Sequence, residues 1–360
     1  MTISAKVGWL AFVLSWLACD ALACGVCIER PEKTFADLIL EADTVVLARE
    51  DVKRPFRFEV TAVLAGSDPA DLAIPFLVDS ATRRKLSSNA SEGVLMVRQD
   101  STWTRVGYAD AALQTVTGEI LSFGPDWQVA PAARFAFFEA RLHDADPMLR
   151  HLAVDELSRA PYDRLRAMKR PVDGMQARHA LADRAQLPWR QFYILMLGLS
   201  DHIEDHQLVR HRLARELRSG GSTDLQAWAT AFLEIDGQDA LAKLVHDWLE
   251  QPETDTDAVR AVIAALSTHA RFADFEMASS IVPEIAALAR RRPDVVGSVA
   301  SALGQIGEFS YGDMVQSAVS DLPLRQARAI DAAELFAASA YVHRARATRP
   351  IDPLAIVERK

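Results

Sequence analysis

Cys24-Gly25-Val26-Cys27 is the segment whose residue types and spacing could do chemistry most directly. Two thiols at C-x-x-C spacing can close a small disulfide loop, and an oxidising compartment favours that. The same pair could act as a redox couple, which needs a strand before it and a helix after it. An apolar stretch, Val7 to Ala18, precedes it instead. Haem attachment requires histidine directly after the second cysteine, and Ile28 stands there. Two sulfurs are half of a tetrahedral metal site. A copper ion helped by a terminal amine is one way to complete it. A structural Cys24–Cys27 disulfide is the leading expectation, and redox and metal chemistry are the alternatives.

A second cluster is Asp201-His202-Ile203-Glu204-Asp205-His206, with His211 nearby. Histidines at i, i+4 on a helix can share a metal. The order here is H-x-E-x-H, which matches neither the H-E-x-x-H nor the H-x-x-E-H plan. Gly198 and Ser200 interrupt the helix pattern just before it. We therefore expect an inter-helix turn capped by Asp201 or Asp205, with His202 and His206 only weak metal candidates. No cofactor is expected. Arg210, Arg212, Arg215 and Arg218 lie on one helical stretch and could dock an acidic partner, the plainer reading being a solvated face. Trp189, Trp228 and Trp248 lie among helical apolar residues and read as core. G-x-S-x-G, P-loop and G-x-G-x-x-G patterns are missing, and Ser219-Gly220-Gly221-Ser222 reads as a helix C-terminal cap and linker. No catalytic residue is nominated.

Positioning these residues is the work of a chain of 360 residues, 50% hydrophobic and 25% charged, which has globular proportions. The net charge of −9 argues against nucleic acid as a partner. Residues 1–23 read as an export signal. Lys6 precedes the apolar run, and Ala21-Leu22-Ala23 gives an A-x-A cleavage pattern before Cys24. The run is too short to span a bilayer, and no transmembrane segment is expected in the mature chain. Cleavage removes Cys19 and leaves Cys24 and Cys27. Arginine outnumbers lysine and alanine is abundant, as in GC-rich bacterial genomes, so export means the periplasm or the cell surface. A lipid anchor on Cys24 is the alternative.

Residues 35–123 read mainly as strands, after a short helix over Phe35–Glu41. Strands are expected at Thr44–Arg49, Phe56–Leu64, Ile74–Val78, Val94–Arg98 and Trp103–Gly107. Gly66-Ser67-Asp68-Pro69 supplies turn residues. This predicts a small barrel or sandwich. Ala42-Asp43-Thr44-Val45-Val46-Leu47-Ala48-Arg49 and Phe58-Glu59-Val60-Thr61-Ala62-Val63-Leu64-Ala65-Gly66, behind an exported cysteine start, resemble the netrin/TIMP-like OB-barrel modules. Those modules carry more cysteines than this chain. The resemblance implies an OB-type barrel and, in its TIMP branch, protease inhibition through Cys24.

From Val129 the pattern changes to Ala-, Leu- and Arg-rich stretches at i, i+3, i+4 spacing. Asp146-Pro147 starts a helix well, and Leu149, Ala153 and Leu157 form one stripe on it. With Asp144 six positions before Arg150, this segment resembles a HEAT repeat. Weaker echoes follow at Leu208–Leu217, Asp257–Leu266 and Asp294–Gly304, unevenly spaced against the ~40–47-residue period.

The expected architecture is α+β and multidomain. It comprises a signal (1–23), a β-rich OB/netrin-like module (24–126), an all-α HEAT-like solenoid (127–346) and a C-terminal tail (347–360). The expected function is that of an exported, non-enzymatic binding or scaffold protein that docks a protein partner on its helical surface. The alternatives are an envelope redox or metal-binding protein acting through Cys24 and Cys27, or a TIMP-like inhibitor.

Overall fold

A computed structural model describes residues 32–66, 73–168, 171–219, 223–321 and 330–348. Cys24 and Cys27, residues 1–23 where an export signal is expected, and the expected tail from 349 lie outside the described residues. The chain is mostly helical, with a small N-terminal antiparallel sheet. It divides into two compact units, one spanning Glu29–Ala160 and the other taking in the chain from Pro161 onward.

The first unit opens with helix α1, Phe35–Leu40, as expected. Thr34 and Asp37 form a capping box there: the Thr34 amide donates to Asp37 and the Asp37 amide to the Thr34 hydroxyl. Strands β1 (Thr44–Glu50), β2 (Phe58–Ala65), β3 (Gly93–Gln99) and β4 (Thr102–Ala109) build one antiparallel sheet in the order β2-β1-β3-β4. Among the described strands β2 and β4 are the edges, so the sheet is open where the sequence predicted a barrel or sandwich. The expected strand at Ile74–Val78 makes only a single bridge, Arg57 to Leu77. Val46, Ala48, Phe58, Val94 and Met96 fill one core with Ile74, Val78 and Leu86. The β3–β4 hairpin turns through Asp100 (φ 48°) and Ser101 (φ 68°), both in the left-handed region that a two-residue hairpin demands.

Two helices stand where strand character was expected. Helix α2, Ser80–Ser87, is capped by Asp79. Helix α3, Ala111–Trp127, is capped by Asp110, whose side chain accepts from the Leu113 amide. Leu113, Val116 and Ile120 are buried along its inner face. Thr115, Val116 and Thr117 mimic a strand, but the i, i+3, i+4 spacing and the cap prevail. Helices α4 (Pro131–Glu139) and α5 (Pro147–Leu157) complete the unit, and α5 packs on α4. The seam between compact units therefore falls at 160, beyond the change of sequence character at 127. The segment that resembles a HEAT repeat, α5, belongs to the first unit. Leu149, Ala153 and Leu157 are buried on it as the stripe predicted.

The second unit consists, among the described residues, of helices. They are α6 (Tyr162–Arg166), α7 (Gly174–Ala182), α8 (Arg190–Gly198), α9 (Ile203–Ser219), α10 (Leu225–Leu244), α11 (Thr256–Phe272), α12 (Phe275–Arg291), α13 (Val296–Ile306), α14 (Gly312–Ser320) and α15 (Ala332–Thr348). One row runs α8, α10, α11, α13, α15, each packing on the next. A second layer flanks it: α7 on α8, α9 on α10, α12 on α11 and α13, and α14 on α12 and α15. Gly237 breaks α10 with φ 51° and ψ −122°, a conformation open essentially to glycine alone. Among the described residues, no helix is long and apolar enough to cross a membrane.

Candidate functional site

The row of helices carries a groove of about 400 Å³ across α10, α11, α13 and α15. Small and polar side chains, Ala264, Ser267, Ser298, Ser301, Gln305 and Ala337, line it beside Ile263. Close approach of α13 and α15 makes it. A Cβ on Gly297 would lie 2.2 Å from the Glu334 carbonyl oxygen, so only glycine admits this spacing. Glu334 is buried at 7% exposure, and its carboxylate is held on all sides. Arg260 Nε donates to Oε1 at 3.0 Å, the Ser298 hydroxyl to Oε1 at 2.7 Å and the Ser298 amide to Oε2 at 2.7 Å. Arg260 also reaches Asp257 at 2.8 Å. Burial alone would lower the Arg260 pKa, but Asp257 and Glu334 hold it above the ordinary value. At the α10 end of the groove, the buried Gln226 Nε2 has no hydrogen-bond partner.

A second polar centre sits where α10 breaks. The Tyr162 hydroxyl donates to Glu234 Oε2 at 2.9 Å, and Arg166 Nε donates to Oε1 at 2.9 Å. Arg166 Nη1 also donates to the Phe272 carbonyl at 2.7 Å. His269 lies 3.6 Å from Glu234 Oε2 through Nδ1, a buried atom with no hydrogen-bond partner. Burial pushes the His269 pKa below its ordinary value, Arg166 adds to this, and Glu234 opposes it. Burial, then the Glu234 charge, raise the Tyr162 pKa well above its ordinary value, so the hydroxyl stays a donor.

The residues singled out from the sequence fall differently. Arg210 is tied to Asp236 by two hydrogen bonds at 2.8 and 2.5 Å, an intramolecular clamp between α9 and α10. Arg212 is half-buried, and Arg215 and Arg218 are exposed on α9. His202 is exposed, while a His206 ring nitrogen lies 2.6 Å from the Ser200 carbonyl. Asp205 is fully buried and accepts from the Ser200 hydroxyl and from Arg178. The cluster is thus the turn that opens α9. Among the described residues, no three His, Cys, Asp or Glu side chains converge to hold a metal. Trp228 is core at 2% exposure, whereas Trp189 and Trp248 are half-buried.

The residues that do converge, Arg260, Ser298 and Glu334, and Tyr162, Arg166, Glu234 and His269, went unremarked in the sequence. His269 within Leu266-Ser267-Thr268-His269-Ala270 was the available signal, a titratable side chain inside an otherwise buried helical run. The chain matches no protein-family model, no curated protein and no solved structure.

Proposed function

We propose that this chain is an exported, non-enzymatic binding protein whose row of helices docks an extended segment of a protein partner. The groove over α10, α11, α13 and α15 carries the proposal: it runs across the row of helices and is lined by small side chains with the polar Ser301 and Gln305 among them. Extended polypeptide is the occupant this favours, because its recurring backbone amide groups can pair with polar side chains such as Ser301 and Gln305 on the groove wall. The helices of the row begin at 190, 225, 256, 296 and 332, intervals of about 31–40 residues, which supports a HEAT-like solenoid. Each member packs on its neighbour in sequence order, as repeat stacks do. The net charge of −9 disfavours nucleic acid. Residues 1–23 support export, with Cys24 and Cys27 as a disulfide or Cys24 as a lipid attachment point.

Ser301 is exposed on the groove wall, so Ser301→Trp fills the groove without entering the core. Peptides selected on the wild-type protein from a random display library should lose at least tenfold in affinity on the variant. Peptides that bind both proteins equally would refute the reading.

A further inference from the structure

The loop between β1 and β2 exposes six residues in a row, Val52-Lys53-Arg54-Pro55-Phe56-Arg57. Val52 is 93% exposed and Phe56 52%, and Leu77, bridged to Arg57, is 61% exposed. The Val78 amide fastens this neighbour, donating to the Phe56 carbonyl at 2.9 Å. Bridged residues share a face, and Phe58 and Val78 next to them point into the core. Arg57 and Leu77 therefore stand side by side on the outside. Single exposed apolar residues carry no message, but three large ones in one neighbourhood form a patch. The loop that bears them is tied down. Buried Asp51 accepts from the Lys53 amide at 2.7 Å, the Arg54 amide at 3.2 Å and Arg54 Nε at 2.6 Å. Glu50 accepts from the Phe56 amide at 2.8 Å and from Arg83 Nε at 2.7 Å. The Arg83 guanidinium lies 4.4 Å above the Phe56 ring. Phe56 has φ 66°, a left-handed conformation that asparagine or glycine holds at less cost. The fold gains little from a half-exposed ring there, whereas a contact outside the fold would use it.

Charge is the second observation. Segments 49–59 and 77–86 carry seven Arg or Lys against four Asp or Glu, in a chain whose net charge is −9. Among the described residues, the ion pairs of the loop are Arg54–Asp51 and Arg83–Glu50, which leaves Lys53 and Arg57 to face outward unpaired. Glu59, two positions along β2 from Arg57, is the exposed carboxylate in the first of these segments. A protein interface depletes lysine from its apolar centre. Here Lys53 and Arg57 are interleaved with the apolar side chains, the arrangement that suits a surface of anionic lipid. Cations meet the headgroup phosphates while apolar side chains reach the acyl boundary. We infer that this loop, with Leu77 beside it, docks the protein on a bilayer that contains anionic lipid. The surface belongs to the first unit, and the inference does not rest on the groove.

The test places an environment-sensitive fluorescent amino acid in the full-length protein, at Val52 or, as a control, at the exposed Ser122 on α3. Each protein is titrated with vesicles of pure phosphatidylcholine and with vesicles of phosphatidylcholine and phosphatidylglycerol in equal parts. A blue shift is expected from position 52 on the anionic vesicles alone, and none from position 122. The probe reports its own surroundings, so attachment through residues 1–23 alone leaves it unshifted. Lys53→Gln combined with Arg57→Gln should raise the lipid needed for a half-maximal shift at least tenfold, each cation being worth about fivefold at an anionic surface. Phe56→Asn should raise it at least fivefold, and asparagine is at home at φ 66°, so the loop keeps its conformation. No shift at position 52 on either vesicle would leave a protein as the occupant and overturn the inference. An equal shift on neutral vesicles, a matching shift at position 122, or an unchanged lipid requirement in either variant would overturn it as well.

Discussion

A buried histidine reports on itself through pH. His269 faces Glu234, Arg166 and Asp274, and burial holds its pKa below the ordinary 6.5. The unfolded chain thus binds a proton that the folded chain refuses over the interval from about 6.5 downward. Stability should fall as pH drops through that interval, and the loss should be complete once pH passes below the depressed folded value. Urea midpoints measured at pH 7.5 and 5.5 should converge more closely in His269→Gln than in the wild type. An unchanged difference between the two midpoints would show that another group sets the slope. None of this was legible in composition. A single histidine in an apolar helical run gives no sign of whether Glu234 or a leucine will face it.

Interactions between elements set the next scale. Arg134 on α4 joins α1 and α5, donating to Asp37 at 2.6 Å and to the Thr34 hydroxyl at 3.0 Å, and pairing with Glu156. Burial raises the Glu156 pKa while Arg134 opposes the rise. Burial also pushes Asp37 up, but the Thr34 amide and Arg134 outweigh it and hold its pKa low. Arg134→Met strands the Glu156 charge and should destabilise the first unit by about 3 kcal/mol at pH 7. The penalty should shrink toward pH 5 as Glu156 takes up a proton, which denaturant titrations at the two pH values would reveal. In the second unit, Gly297→Ala forces α13 from α15, since its Cβ would meet Glu334 backbone atoms. Overpacking of this kind costs about 1–3 kcal/mol, readable as a lowered unfolding midpoint. Much of the element layout was legible: α1, β1 to β4 and the stripe on α5 follow from caps and periodicity. Helix α3 was not, because its Thr115-Val116-Thr117 run satisfies strand and helix patterns alike. Gly297 and Glu334 meet only after distant segments pack, so their pairing leaves no local signature.

For the whole molecule, the turn from strand to helix character near residue 127 was easy to read, yet the first unit continues through α4 and α5 to Ala160. The boundary depends on which core the helices join, and local pattern does not encode that. The basic stretch on α9 invited a docking role, but Arg210 is spent on Asp236 within the fold. The groove lies along other helices, and many of its lining residues, such as Ala264, Ser301 and Ala337, are small and uncharged, a composition that attracts little notice in a sequence. The most direct measurement is photo-crosslinking in the producing cell. A benzophenone amino acid replaces Ser301 in the groove or, as a control, the exposed Ser279 on α12. The account predicts a discrete protein adduct from position 301 and none from position 279. No adduct from 301, or the same adduct from both positions, would contradict it.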